Sequence, residues 1–129
     1  MIYRIFCQIY GDHFDASKLN GHNGSVSVGS DGIVTCDGLS FGTENFRRDC
    51  EKKLLDFIQE NEASLHHFGA EKCIIHYEMH YSMQCNGEIL SPEMFRRLSR
   101  ITLPIELSLT TKEYTDNDAF EEWERRLRE

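Results

Sequence analysis

His76, Glu78 and His80 stand at every second position of one alternating segment, residues 72–83. On an extended strand their side chains leave from one face, ~6.6–7 Å apart in sequence order. Two imidazoles and a carboxylate are zinc ligands by type. A closed site would need a fourth ligand, from His13, Cys85 or His66. The spacing is long for strand neighbours to share one ion. The plainer reading is a polar sheet face that meets solvent, and no metal or other cofactor is called for.

Other reactive side chains have structural readings beside the chemical ones. His66-His67 closes a long helical pattern, where cations complement the helix dipole. His13 and Asp15 flank Phe14 as an acid–base pair, or else Asp15 caps a helical turn. The glycine-rich stretch 20–42 contains neither a G-x-x-x-x-G-K-[ST] nor a G-x-G-x-x-G pattern, and no Lys follows Lys18 within it. No G-x-S-x-G nucleophile elbow occurs. No catalytic residue is assigned, and the chain reads as non-enzymatic.

A different chemistry is concentrated near the C-terminus. Glu113, Asp116, Asp118, Glu121, Glu122 and Glu124 surround Trp123. Clustered acids steer a basic partner, and Trp is a frequent interface anchor. These residues are the candidate partner-binding set. The alternative is a terminal helix docked by Phe120, Trp123 and Leu127, with a solvated charged face.

The composition agrees with a protein partner. Among 129 residues, 22 Asp and Glu oppose 14 Lys and Arg, a net charge of −8. Nonspecific nucleic-acid binding needs cations against phosphate, so it is not expected. A basic protein is. Eight Phe, five Tyr and one Trp argue for a packed core rather than disorder. No apolar run approaches the ~20 residues of a membrane span, and the polar, alternating start MIYRIFCQIYGD does not read as a signal peptide. Five Cys without C-x-x-C spacing suggest reduced thiols and a cytoplasmic protein. Cys85 is expected to be the exposed one.

The elements that must position these residues follow from periodicity. Tyr3, Ile5, Cys7 and Ile9 mark one face of a first strand, and Cys73 to Met83 mark another. Residues 25–28 and 33–36 flank Gly29-Ser30-Asp31-Gly32 as a hairpin. Thr43 and Glu44 open a long helix with Phe46, Cys50, Leu54, Phe57, Ile58 and Leu65 as its stripe, ending near Gly69. Arg47, Arg48, Asp49, Lys52, Lys53 and Asp56 are expected in solvent. Asn86-Gly87 reads as a turn. Ser91-Pro92-Glu93 starts a short helix with Met94, Phe95, Leu98 and Ile101 as its stripe. A strand over 103–109 follows, with Pro104 marking an unpaired or edge end. Asp116 or Asp118 then caps a last helix. The expectation is one α+β domain, 1–129, with 116–129 as a C-terminal extension. Its sheet should be mostly antiparallel, of about four to six strands, with helices packed on one face.

Two stretches together resemble a bacterial family of small domains of unknown function. One is Tyr3-Arg4-Ile5 through Ile9-Tyr10-Gly11-Asp12 to Phe14-Asp15. The other is the alternating strand 73–83, then Leu90-Ser91-Pro92-Glu93 with Phe95 and Leu98, then the strand 103–109. The chain departs from the family in 16–42, which lacks its Pro-containing turn and Lys-Gly pair. The resemblance implies bacterial, cytosolic relatives that often sit near toxin genes, where small acidic proteins serve as immunity partners. It supplies no catalytic residues. The expected partner is therefore a basic cognate toxin domain. The competing expectations are a metal site or enzyme at His76, Glu78 and His80, and a homodimer formed through a sheet edge or the C-terminal helix.

Overall fold

A computed structural model describes residues 1–19, 22–23, 25–83 and 86–128, with only the backbone of 22 and 23. Cys85, expected to be exposed, lies outside the described residues. The strands are β1 (Ile2–Tyr10), β2 (His22–Asn23), β3 (Val26–Val28), β4 (Ile33–Cys36), β5 (Lys72–Ser82) and β6 (Ile105–Tyr114). The helices are α1 (Glu44–His67), α2 (Pro92–Ser99) and α3 (Asn117–Arg128). A 3₁₀ turn, Ala16–Lys18, follows β1; Asp15 caps it by accepting from the Ser17 N–H at 3.1 Å.

The fold is α+β. One six-stranded sheet runs in the order β2-β3-β4-β1-β5-β6. Every pairing is antiparallel except β5 with β6, which is parallel because α2 carries the chain back between them. The hairpin turn closes at Gly32, whose φ of +82° suits a residue without Cβ. α1 ends at Phe68, and Gly69 follows at φ +92°.

Odd-numbered side chains of β1 and β5 pack on α1. Ile5, Cys7, Ile9, Cys73, Ile75 and Tyr77 meet Leu54, Leu55 and Ile58 in the core. Cys7, Cys50 and Cys73 are buried, and all three, with half-buried Cys36, are free thiols. α1 and α2 lie on this face. α3 meets the opposite face at one end, where Trp123 touches the even-numbered His80. That placement explains why Ile2, opposite His80 in register, is fully buried. Among the described residues no helix is long and apolar enough to cross a membrane.

Three expectations are corrected. Arg47 is not in solvent; it is 3% exposed. Phe95 is not part of the packed stripe of α2; it is 51% exposed. The eight-residue helix leans on α1 through Met94 and Leu98. Arg97 ties it there, 2.6 Å from Asp56 and 3.0 Å from Gln59. Asn86-Gly87, expected as a turn, forms none; the left-handed backbone after β5 falls on Met83 (φ 57°) and Leu90 (φ 51°).

Leu54 is fully buried, so Leu54→Ala should cost about 2–5 kcal/mol in denaturant unfolding. Phe95→Ala should stay within about 0.5 kcal/mol of the parent. Equal costs would refute this placement of α2.

Candidate functional site

Two regions gather polar side chains, one on each side of the sheet. The first is the face away from α1. The strand alternation places Arg4 and Phe6 of β1 beside His76, Glu78 and His80 of β5, in the register Arg4–Glu78 and Phe6–His76. The sequence therefore placed the three candidate ligands on one face correctly.

Each is engaged there. The His76 ring stacks on Phe6 at 4.7 Å and 15°. The Arg4 guanidinium lies over the Phe6 ring, 4.6 Å from its centroid, and bonds Glu78 Oε1 at 2.8 Å. His80 shares a hydrogen bond with the Tyr114 hydroxyl through Nδ1, at 2.9 Å. Its Nε2 stays 3.8 Å from Glu78 Oε2, beyond hydrogen-bond reach. Among the described residues no three His, Cys, Asp or Glu side chains are placed to hold a metal ion. His66, one proposed fourth ligand, instead meets the Thr102 hydroxyl at 2.9 Å.

Burial lowers the pKa of both His76 and His80, against the pull of Glu78. Phe41, Trp123 and Tyr114 surround the His80 ring at 5.6, 5.6 and 5.7 Å. The face is thus an aromatic layer in which burial disfavours the charged form of both imidazoles.

α3 grows out of this layer. Asp116 caps it, accepting from the Ala119 N–H at 3.0 Å. Trp123 is half-buried against Phe41 and Phe120, at 5.5 and 5.9 Å, so it docks the helix instead of projecting as an anchor. Glu124 binds the Met1 ammonium at 2.6 Å. Glu122 binds Arg125 at 2.6 Å and Arg126 at 3.2 Å. Of the candidate acids, Glu113, Asp118 and Glu121 remain exposed and without an ion-pair partner among the described residues.

The second region escaped the sequence reading. A cleft of about 760 Å³ runs between the first half of α1 and residues 87–94. Its floor is a buried ion pair, Arg47 with Glu51, whose side chains are 3% and 1% exposed. Arg47 also holds Glu44 through two nitrogens, at 3.1 and 3.0 Å. The second Glu51 oxygen accepts the Leu90 N–H at 3.0 Å. Tyr3 extends the network. Its hydroxyl donates to Glu44 Oε1 at 3.1 Å and accepts the Glu88 N–H at 3.2 Å.

Burial opposes charge on Arg47, but its bonds to Glu44 and Glu51 outweigh this and raise its pKa. Burial pushes the Glu51 carboxyl up. Burial and the nearby Glu44 charge push the Tyr3 phenol up to about 12. A signal for this pair was present: residues 47, 51, 54 and 58 recur at helical spacing on one face, so Arg47 and Glu51 share the core side with Leu54 and Ile58.

Comparison with protein-family models, with curated proteins and with solved structures gives no significant match for this chain.

Two predictions follow from the geometry. Leaving one charge of a buried pair without its counter-ion is costly, so Arg47→Met, which leaves Glu51 only the Leu90 N–H, should lose about 3–5 kcal/mol, whereas Arg47→Met with Glu51→Leu should lose less than Arg47→Met alone. A double-mutant cycle in urea checks this. Burial favours the neutral form of His76 and His80 in the folded chain, so around and below the ordinary histidine value of 6.5 the unfolded chain binds more protons. Stability is full above about pH 6.5 and falls as the pH drops below it. Thermal melts from pH 7 to 5.5 should show that fall, and His76→Phe should flatten it; an unchanged slope would remove His76 from the explanation.

Proposed function

We propose that this protein is a non-enzymatic protein-binding module, an immunity protein that neutralises a cognate bacterial toxin in the cytoplasm. The observation that carries the reading is the set of unpaired, exposed acids, Glu113, Asp118 and Glu121, on a chain of net charge −8. Such a surface attracts a basic domain and speeds its association. The N-terminal and Leu-Ser-Pro-Glu resemblance supports the same reading. The other acids of the cluster serve α3 itself, so the partner surface is smaller than the sequence cluster.

The attraction in this reading comes from Asp118 and Glu121 on α3, with Glu113 adding charge from the end of β6. Asp118 and Glu121 lie one turn apart on α3, and Glu113 lies near the same end of β6 but on the α1 side of the sheet, opposite Tyr81 in register. A basic toxin surface would be occluded by contact and not by chemistry.

The test is a pull-down from the host lysate at low and then high salt, followed by coexpression of any captured protein. The expected result is a basic protein lost at high salt, whose toxicity to cells is relieved by coexpression. Asp118→Lys with Glu121→Lys should then slow association about tenfold or more at low salt. A partner that binds equally well to this variant, or none at either salt, would overturn the reading.

A further inference from the structure

We propose that β6 is a dimerisation edge, where a second copy of this chain adds its own β6 antiparallel and centred on Leu109. β6 is the outermost strand of the sheet and ten residues long, whereas the opposite edge, β2, has two. Thr110, Thr111, Lys112 and Glu113 are exposed along it, and the Leu109 side chain is 52% exposed. A long uncovered edge presents a row of backbone donors and acceptors to another strand.

The sequence of β6 selects the occupant and the register. Two identical strands that pair antiparallel are related by a two-fold axis normal to the sheet. That axis keeps the faces, so even-numbered residues meet even-numbered ones. Centring the axis on Leu109 brings Glu106 opposite Lys112 of the second copy, and Lys112 opposite its Glu106. No other register of this kind sets these two opposite charges directly against each other. The same register sets Leu109 against Leu109, Leu107 against Thr111 and Ser108 against Thr110. Opposite cross-strand charges and apolar pairs stabilise such a ladder.

The present partners of these groups leave them available. Glu106 meets Lys72 at 3.4 Å, with both side chains largely in solvent. Lys112 lies over the Tyr114 ring at 5.1 Å. Glu113 falls opposite Ile105, away from the Glu113 of the second copy. The result is a continuous sheet of twice six strands with both α1 layers on one side.

The test is sedimentation velocity of the full chain over a dilution series. The expected species is twice 15.0 kDa, dissociating on dilution. Lys112→Glu sets like charges against each other at two places, and Glu106→Lys does the same; each should be monomeric where the parent is dimeric. Glu106→Lys combined with Lys112→Glu restores both pairs and should restore the dimer. All of these positions are exposed, and a thermal melt of each variant verifies folding.

Register is read separately by oxidation. Directly opposite residues of an antiparallel pair come close enough for a disulfide. Leu109→Cys should cross-link to itself between copies, and Lys112→Cys should not. A parent that is monomeric at every concentration overturns the proposal. So does a dimer indifferent to Lys112→Glu, a charge-swapped double variant that stays monomeric, or cross-linking at position 112 in place of 109.

Discussion

The buried bond between Arg47 and Glu51 ties together the parts of this fold that are far apart in sequence. Through Glu44 and Tyr3 it joins the start of α1 to β1, and through the Leu90 N–H it joins α1 to the crossover between β5 and β6. Two charges out of water are tolerable only when every lone pair and proton has a partner. That demand fixes the crossover's path. Leu90 is held in the left-handed region, at φ 51°, where a residue with a side chain rests only when its surroundings require it. The buried carboxylate and the buried Leu90 side chain supply that requirement. Ser91 is then positioned to cap α2, accepting the Met94 N–H at 3.3 Å. The parallel β6 follows from the return of α2. The ionic contact inside α1 thus anchors the segment that leads from β5 to β6.

The two faces of the sheet divide the remaining work. One is closed by α1 and α2 over an aliphatic core. The other is half closed, with α3 seated on the aromatic layer of Phe41, His80, Tyr114 and Trp123. This division leaves the exposed acids at the α3 end and the uncovered edge of β6 as the surfaces open to a partner. His76, Glu78 and His80 share a face, as their spacing required, but stacking, the Arg4 pair and the Tyr114 hydroxyl occupy them there.

Local chemistry was readable wherever one residue type has one structural use. Asp31-Gly32 in the hairpin, Ser91-Pro92 before α2 and Gly69 after α1 each occur where the sequence placed them, and of the two caps it offered for α3 the structure uses Asp116. The errors share a cause. Hydropathy classes Arg47 with solvent because it weighs the guanidinium alone, although the residue sits at helical spacing with Leu54 and Ile58. The turn was read at Asn86-Gly87, since propensity has no means of placing Leu90 in the left-handed region; the group that holds Leu90 there is Glu51, thirty-nine residues away. Phe95 has the spacing of a stripe, but a helix of two turns rests on a narrow strip, and Arg97 decides which. β6 runs past Leu109 to Tyr114 because pairing with β5 continues after hydrophobic alternation has stopped.

Hydrogen exchange at the Leu90 amide tests the governing role of the buried pair most directly. Leu90 lies between strands and belongs to no helix or sheet ladder, so only the Glu51 carboxylate and its burial protect it. Protection close to that of the central amides of β5, lost selectively at Leu90 in Glu51→Gln, is the result expected. Rapid exchange at Leu90 in the unsubstituted protein, beside slow exchange in β5, would show that the ion pair does not hold the crossover.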